Sequence, residues 1–428
     1  MNSLPKKKIL FLSNDACDYG RKGLNFFNSL RKRGHEIDYL SLYPVEGHPE
    51  VLSVYKKKNS VVKSIHHFFS RVFWHLYKKY VSPESKYAFF NKSDLDAPVS
   101  PDLIFSQLGS DYDILMVYFW QAFLTPYTIQ AVVDKYAIKK VFFLMADYAA
   151  MTGGCHYTVN CERYKIGCGM CPAWRSNNEC DVTRQNTLLR KQIYDKINPI
   201  ITGNTHMQEI YRSSFLFKGR TYMKTYGTLD LNHFRKIDRT ILRKKYEIPE
   251  HKKKIIFFGC QSLLDPKKGI SMLIEALNQF SQRLSTKEKN EILLLVAGRS
   301  VGEVLNSLPF DYKFLGFIPY TNLPEVFSLS TCFVSPSIND AGPSMVSQSL
   351  ACGTPVVSFN IGIALDCIKT GETGYLAEIG NVTDLSSGIE YILKMNQVQY
   401  AELQNNCITK AHKLFSIDKS IENFEKHF

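Results

Sequence analysis

The sequence contains no apolar run that approaches the roughly 20 residues needed by a membrane-spanning helix. At the N-terminus, the cations Lys6 to Lys8 precede only the apolar run Ile9 to Leu12, which is too short for the apolar core of a signal peptide. Without such a leader, the 11 cysteines predict reduced thiols in a cytoplasmic protein and not a disulfide framework.

Acidic residues are also scarce. Asp and Glu number 40 against 53 Lys and Arg, which gives a formal net charge of +13 and a pI of about 9.0. Such a charge suits nucleic acid, an anionic membrane or phosphorylated substrates as partners. No recognised nucleic-acid-binding motif is found in the sequence, so we expect no nucleic acid partner.

Residues 51–83 contain no acidic side chain at all. Apolar residues such as Val61, Ile65 and Phe69 recur there at helical spacing, while cations such as Lys63 and Arg71 lie largely off that stripe. This pattern predicts an amphipathic helix over about residues 61–80. Such a helix either packs on its own domain or lies on an anionic membrane leaflet, and the residues alone leave both interpretations open.

Short apolar runs alternate with stretches at helical spacing along most of the chain. A first strand is expected at Lys8 to Asn14, then a loop with Gly20, a helix over Leu24 to Arg33, and a second strand at Glu36 to Leu42. This βαβ pattern is typical of a parallel sheet with a ligand site at the strand ends, which makes Gly20 a candidate binding residue.

A second α/β series begins at Ile255, after a charged and loop-like stretch. The length of 428 residues exceeds what one hydrophobic core supports and suits two domains of roughly 200 residues each. The sequence therefore predicts an α/β protein with two Rossmann-like domains, over residues 1–226 and 227–409, and a C-terminal helix over 410–428 that completes the first.

The stretch Thr331 to Leu376 carries the most chemistry. A buried strand is expected to end near Ser335, and the loop after it contains Asp340 and Gly342. Pro343 suits the first position of a helix, whose free backbone N–H groups near Ser344 and Met345 would form an anion site suited to a diphosphate. Asp340 can accept hydrogen bonds from sugar hydroxyls, and Gln348 can face the same site. An ordinary βαβ unit with a polar loop would explain the same residues.

Three segments of this stretch resemble the donor-site signature of family-four retaining glycosyltransferases: Pro336-Ser337, Leu350 to Val357 and Gly371 to Leu376. That family has the GT-B fold, in which two Rossmann-like domains face a cleft. The resemblance implies that the first domain binds the acceptor and the second binds a nucleotide sugar. It also implies that Asp340 contacts sugar hydroxyls. Gln348 stands where the family has an acid that holds the nucleotide ribose.

Gly259 and the stretch Asp265 to Gly269 resemble a second sequence motif of the same family. In the family, an Arg and a Lys of this element grip the diphosphate, and Lys268 matches the Lys. The Arg position falls on Cys260 or Gln261, so Lys267 is the candidate for the missing cation. Alternatively, Lys268 is an ordinary loop lysine whose side chain is exposed to solvent.

The N-terminal half departs from the family at one position. Members commonly place a His after a strand of the first domain, but neither Val117 to Trp120 nor Leu144 to Asp147 contains one. Asp147 is the candidate replacement with a catalytic role. A structural cap would explain Asp147 equally well.

The segment 153–180 is rich in cysteine: Cys155, Cys161, Cys168 and Cys171 follow the spacing C-x5-C-x6-C-x2-C. Four thiolates form a closed tetrahedral zinc site, which is structural because no position is left for water. Four reduced thiols and disulfides are the alternatives, and His156 and Cys180 are alternative ligands. A similar loop occurs in exopolysaccharide-type members of the family, and it follows a strand end that would border the acceptor.

The resemblance implies transfer of a sugar, with retention, from a nucleoside diphosphate sugar to a hydroxyl of a glycan, favoured here as lipid-linked. We expect a role in surface polysaccharide biosynthesis, association with the inner face of the plasma membrane, and no catalytic divalent metal. Two alternatives are an inactive transferase-like scaffold in a polysaccharide assembly and a GT-B nucleotide-sugar epimerase.

Overall fold

The structure is a computed structural model that describes residues 5–14, 21–55, 87, 89, 93–95, 97–118, 120, 123–299 and 303–428. Its contacts divide the chain into two compact units. The first unit comprises Met1–Gly203, Met207–Thr225 and Ile421–Phe428, and the second comprises Asn204–His206 and Tyr226–Ser420.

The first unit is built on a seven-stranded sheet with the strand order β3-β2-β1-β4-β5-β6-β7. All its neighbouring strands run parallel; in β1, for example, Ile9 pairs with Ile37 of β2 and with Ile114 of β4. A strand whose two faces are both buried has a continuous apolar sequence, as Ile9 to Leu12 does. The strands are β1 Lys8–Ser13, β2 Glu36–Ser41, β3 Leu52–Ser53, β4 Ile114–Tyr118, β5 Lys140–Leu144, β6 Ile200–Gly203 and β7 Tyr222–Lys224.

The second unit is built on a six-stranded parallel sheet with the order β10-β9-β8-β11-β12-β13. Buried apolar side chains form two clusters. One contains Phe257 and Phe333, and the other contains Phe258 and Val334. Successive residues of β8 and β11 thus belong to different clusters, as expected for the two faces of one sheet. The strands are β8 Lys254–Gly259, β9 Ile292–Ala297, β10 Tyr312–Phe314, β11 Cys332–Ser335, β12 Val356–Phe359 and β13 Gly374–Ala377.

Helices alternate with these strands, as expected for crossover connections between parallel strands. The α-helices are Arg21–Lys32, Pro101–Phe105, Pro126–Tyr136, Val182–Ile197, Thr205–Ser213, Arg239–Lys245, Ile270–Gln282, Thr286–Asn290, Leu323–Leu329, Ser344–Ala351, Ala364–Cys367, Val382–Leu393, Gln397–Phe415 and Ile417–Glu425. Short 3-10 turns occur at Ala149–Met151, Arg163–Lys165, Pro172–Trp174, Pro266–Lys268, Val304–Ser307 and Tyr320–Asn322.

The strand order reverses direction in the middle of the second sheet, where β8 has β9 on one side and β11 on the other. At such a point, the loops that leave the carboxyl ends of the two strands diverge and open a crevice, which is where doubly wound sheets bind ligands. The loops after β8 and β11 are therefore expected to line a ligand site.

The predicted fold class, α/β with two Rossmann-like sheets, is confirmed. The sequence predicts that residues 410–428 complete the first unit. Of these residues, Ile421–Phe428 group with the first unit and residues 410–420 group with the second.

Gly20 and the predicted helix over 61–80 lie outside the described residues. Within the part of the chain that the structure describes, no helix has both the length and the apolar character to cross a membrane.

The C-terminal residues belong to the core of the first unit. Phe424 is 4% exposed and packs edge-on against Phe26, with ring centroids 4.9 Å apart, and against Phe142 at 5.7 Å. Glu425 lies 3.0 Å from Arg33 and 3.2 Å from His35. These contacts join the end of the chain to its first helix and to β5.

We expect Phe424→Ala to lower the free energy of unfolding of the first unit by about 3–5 kcal/mol, because it removes a buried ring and leaves a cavity. Urea unfolding followed by tryptophan fluorescence measures this unit selectively, since the sequence has three tryptophans, all before residue 204, and the two described ones, Trp120 and Trp174, lie in the first unit. Leu188→Ala, at a position 48% exposed, is the control and should change stability by less than about 0.5 kcal/mol. An unchanged midpoint in Phe424→Ala would show that the C-terminal segment is not part of this core.

Candidate functional site

Lys268 and Asp340 meet at the reversal point of the second sheet. Lys268 ends the 3-10 turn that follows β8, and Asp340 lies in the loop after β11. The Lys268 Nζ is 2.6 Å from the Asp340 Oδ2, and the two side chains are 28% and 11% exposed. The other carboxylate oxygen accepts a hydrogen bond from the Gly342 N–H at 3.0 Å. The pair places a cation and a carboxylate, which can accept several hydrogen bonds, together at the sheet edge.

A glycine allows these two loops to touch. Gly269 has φ +65°, and a Cβ on it would lie 1.9 Å from the Pro336 carbonyl oxygen. The Ile338 N–H donates to the Lys267 carbonyl oxygen at 2.9 Å across the same contact. Any larger residue at position 269 would force the loops apart.

The helix Ser344–Ala351 begins beside this pair. Pro343 occupies its N-cap position, one residue earlier than the sequence analysis placed it, and no side chain among the described residues caps the helix. The first N–H groups of a helix, here those of Ser344 and Met345, carry its positive dipole end. An anion at this position would be stabilised by these amides.

Gln348 lies in the same helix and is 4% exposed. Its Oε1 is buried and has no hydrogen-bond partner among the described residues. A buried acceptor without a donor costs about 1–3 kcal/mol, so a ligand hydroxyl that donates to Oε1 would recover that free energy. This orphan oxygen favours a binding role for Gln348.

Lys267 and Cys260 are the residues to examine for the second phosphate cation that the family resemblance implies. Lys267 Nζ lies 3.0 Å from the Asp265 carboxylate of its own turn. Burial raises the pKa of the Cys260 thiol to about 11, although the Lys268 charge acts in the opposite direction. The thiol is therefore neutral near pH 7, and neither Cys260 nor Gln261, the two residues on which the family's Arg position falls, supplies a cation. Gly259 ends β8, where a Cβ would come within 3.0 Å of Ala297.

In the first unit, Asp147 has two roles at once. Its Oδ1 accepts a hydrogen bond from the Ala149 N–H at 2.8 Å, which is the cap considered in the sequence analysis. Its Oδ2 lies 2.6 Å from the His156 Nδ1. Sequence reasoning treated His156 only as an alternative metal ligand, because nothing in the spacing of residues 147 and 156 indicates that the two side chains meet.

The four predicted zinc ligands line one cavity with an empty volume of about 370 Å³. They are free thiols, and burial raises the pKa of Cys168 to about 12 and that of Cys155 further. Cys168, Gly169 and Met170 have φ angles of +58°, +84° and +42°, which makes a tight left-handed turn before Cys171. Across the described ranges, no three or more His, Cys, Asp or Glu side chains are arranged to hold a metal as they stand.

A buried ion pair anchors this cysteine-rich segment. Arg190 and Asp94 are each 1% exposed, with Nε 2.6 Å from Oδ2. The same guanidinium donates to the carbonyl oxygens of Ala149 and Thr152, at 2.5 and 2.6 Å. These bonds fix the entry of the segment to the helix Val182–Ile197.

The second unit contains the match to a known family model. Residues 238–414 match the family model for glycosyl transferases, group 1. That range contains the Lys268–Asp340 pair and Gln348. A curated relative, the N-acetyl-alpha-D-glucosaminyl L-malate synthase of Bacillus anthracis, is 21% identical over 243 residues, which are 56% of this chain and 61% of the relative. The chain thus spans less than two thirds of the length of this relative.

Solved structures resemble the fold over nearly the whole chain. Sucrose-phosphate synthase from Thermosynechococcus elongatus has a TM-score of 0.63 and 15% identity, covering 99% of this chain and 98% of its own. Anabaena HepE in complex with UDP and glucose has a TM-score of 0.61 and 14% identity, covering 98% and 99%. Together with the family match, these likenesses confirm the predicted GT-B fold.

We propose that Cys155, Cys161, Cys168 and Cys171 hold one structural zinc ion once their side chains turn toward the centre of their shared cavity. Protein purified without added metal should then contain about one equivalent of zinc, and Cys168→Ser and Cys171→Ser should each lose it. Cys260→Ser, outside the quartet, is the control and should retain the metal. A zinc content below about a tenth of an equivalent in the parent would contradict the proposal.

Proposed function

We propose that the protein is a retaining glycosyltransferase that moves a sugar from a nucleoside diphosphate sugar to an acceptor hydroxyl. The observation that carries the proposal is the Lys268–Asp340 pair, 2.6 Å apart at the reversal point of a sheet whose sequence matches group 1 glycosyl transferases. The start of the helix Ser344–Ala351 and the orphan Oε1 of Gln348 support it.

The bond between the sugar and the diphosphate breaks with negative charge building on the phosphate oxygens. The Lys268 ammonium and the amides of Ser344 and Met345 are positioned to stabilise that charge more in the transition state than in the ground state. An ammonium has three donors, so Lys268 can contact Asp340 and a phosphate oxygen together. The proposed chemistry therefore assigns no step to a divalent metal.

Asp340 fits a binding role better than that of a nucleophile. Both of its oxygens are already engaged, one by Lys268 and one by the Gly342 N–H. Carboxylate oxygens have further lone pairs that can accept hydrogen bonds from sugar hydroxyls. In the retaining reaction that we propose, the acceptor hydroxyl forms the new bond to the anomeric carbon on the face that the phosphate leaves, and its proton passes to the departing phosphate.

Gln348 is proposed to hold the ribose of the nucleotide. Its buried Oε1 can accept the hydrogen bond of a ribose hydroxyl without desolvation of a charge, which an acid at this position would incur. The UDP bound to Anabaena HepE, a protein with a similar fold, supports a nucleotide donor in general but does not identify the base used by this chain.

The acceptor that we propose is a glycan, favoured as lipid-linked, in surface polysaccharide biosynthesis at the inner face of the plasma membrane. The net charge of +13 and the acid-free stretch 51–83 support contact with an anionic surface. This part of the proposal concerns residues that lie mostly outside those that the structure describes.

A transferase-like scaffold with weak or no activity is the second candidate. The missing arginine favours it, because the family's second phosphate cation falls on Cys260, whose thiol is neutral, or on Gln261. A scaffold of this kind would bind a nucleoside diphosphate but would not hydrolyse or transfer the sugar, so turnover decides between the two.

We expect Lys268→Ala to lower turnover by about two to three orders of magnitude, as the removal of one donor to a developing oxyanion does. Lys268→Arg should recover only part of the loss, since a planar guanidinium replaces a compact ammonium. Steady-state kinetics with UDP-glucose, UDP-N-acetylglucosamine and GDP-mannose as donors, with octyl glycosides as acceptors, measures the effect.

Lys253→Ala is the control, because Lys253 precedes β8, at the end of the strand away from Lys268, and its side chain is 63% exposed beside Glu291. Its effect should be much smaller than that of Lys268→Ala. The product should have the anomeric configuration of the donor when analysed by NMR. Full activity in Lys268→Ala, or an inverted product, would contradict the proposed site or mechanism.

A further inference from the structure

The peptide group between Ala341 and Gly342 is hydrogen-bonded at both of its ends. Its N–H donates to the Asp340 Oδ1 at 3.0 Å, and its carbonyl oxygen accepts a hydrogen bond from the Asn204 Nδ2 at 2.6 Å. Asn204 is 4% exposed and follows β6 in the chain, but the segment Asn204–His206 groups with the second unit. One peptide group thus joins the Asn204 amide to the Asp340 carboxylate.

The two bonds together fix the orientation of this peptide group. The carbonyl oxygen and the N–H of a trans peptide point in opposite directions and turn as one plane. A half-turn of the Ala341–Gly342 plane would therefore break both hydrogen bonds at once. Gly342 has no Cβ, so the backbone on its side accepts either orientation. The hydrogen bond from Asn204 favours the orientation in which the N–H points at Asp340.

The backbone next to Asn204 is held in turn by an acidic side chain. The Thr205 N–H donates to the Asp366 Oδ2 at 2.9 Å, and the Thr205 hydroxyl donates to the other oxygen of the same carboxylate. Ala341 is 2% exposed, so bulk water has little access to replace the amide as the donor to its carbonyl oxygen. The amide is therefore in place before any ligand arrives, which is the condition for a precise polar contact.

From this arrangement we infer that Asn204 is a positioning residue for the donor sugar, because it holds the peptide group that orients the Asp340 carboxylate. The inference rests on the proposed transferase function and deepens it. The Asp340 oxygen that the peptide N–H holds is the one that does not contact Lys268. Asn204 thus acts on recognition of the sugar through Asp340 and has no direct part in binding the diphosphate.

The inference separates binding of the sugar from binding of the nucleotide. Asn204→Ala should weaken the binding of a nucleotide sugar by about 10-fold, the scale of a lost hydrogen bond in a charged network. UDP and GDP carry no donor sugar for Asp340 to contact, so their affinity should fall by less than about 3-fold. Isothermal titration calorimetry of the full chain with UDP-glucose, UDP-N-acetylglucosamine, GDP-mannose, UDP and GDP measures both.

A double-mutant cycle tests whether Asn204 acts through Asp340. Residues that act on the same contact have non-additive effects. Asn204→Ala should therefore weaken nucleotide-sugar binding much less in the Asp340→Asn background than in the parent. Additive losses would contradict the inference.

Asn204→Asp adds a readout that depends on pH. An ionised carboxylate cannot donate to the Ala341 carbonyl oxygen, whereas the protonated form can. Burial disfavours the charged form and raises the pKa of a carboxyl group. The nucleotide-sugar affinity of Asn204→Asp, relative to that of the parent at the same pH, should therefore rise as the pH falls from about 8 to about 5.5. A ratio that does not change with pH would contradict the inference.

Asn186→Ala is the matched control for the loss of a buried amide. Asn186 is 3% exposed, and its Nδ2 donates to the Gly153 carbonyl oxygen at 2.8 Å, in the cysteine-rich segment of the first unit. Its removal should also lower stability, because it leaves a buried carbonyl oxygen without this donor. The affinity for nucleotide sugars should stay that of the parent.

The outcomes distinguish the inference from the function on which it rests. A parent that binds nucleotide sugars, together with a cooperatively unfolding Asn204→Ala that binds them equally well, would overturn the inference alone. Equal weakening of UDP-glucose and UDP would also overturn it, because the effect would not pass through the sugar. If Asn204→Ala does not fold, the pH comparison of Asn204→Asp decides. A parent that binds none of these ligands would overturn the proposed function, and the inference with it.

Discussion

The candidate donor site depends on the close approach of two loops at Gly269. Its left-handed conformation and missing side chain let the turn after β8 rest directly on the Pro336 carbonyl oxygen of the loop after β11. This contact brings the turn that holds Lys268 against the loop that holds Asp340, and the Lys268 Nζ lies 2.6 Å from the carboxylate, 72 residues further along the chain. The parallel sheet brings the loops to one edge, and the glycine removes the last steric barrier between them.

The two units each contain an ion pair, and the two pairs differ in their exposure to solvent. In the second unit the Lys268–Asp340 pair is partly open to solvent, so it can exchange part of its mutual contact for a ligand at moderate cost. In the first unit the Arg190–Asp94 pair is almost fully buried and holds backbone carbonyl groups as well. Removing one partner of such a buried pair leaves an unpaired charge and is strongly destabilising, which suits a fixed anchor. The first pair suits the ligand binding that we propose, and the second suits a fixed anchor.

Much of the second unit could be predicted from the sequence because its signals are local. Apolar runs such as Ile255 to Gly259 read as buried strands, and Pro343 marks the start of a helix to within one residue. Asp340 could be named because it lies in the loop after a strand, where site residues are expected, whereas Lys268 was indicated only by the resemblance to family-four glycosyltransferases. The fold class followed from the alternation of strands and helices.

Other features could not be predicted because they depend on contacts between residues with no periodic relation. The spacing of Asp147 and His156 follows neither a helix nor a strand, so their bond was missed. The orphan oxygen of Gln348 depends on how its surroundings pack. Similarly, the partition of residues 410–420 from 421–428 is decided by tertiary packing, since both stretches are helical in large part.

The central claim is that a nucleoside diphosphate binds where Gly269 brings the two loops together. Isothermal titration calorimetry with UDP and GDP, on the parent and on Gly269→Ala, tests it most directly. The parent should bind at least one of them, and Gly269→Ala, with unfolding still cooperative, should bind it more than about 10-fold more weakly, since an added Cβ must displace one loop. Equal affinity in both proteins, or no binding by the parent, would contradict the account.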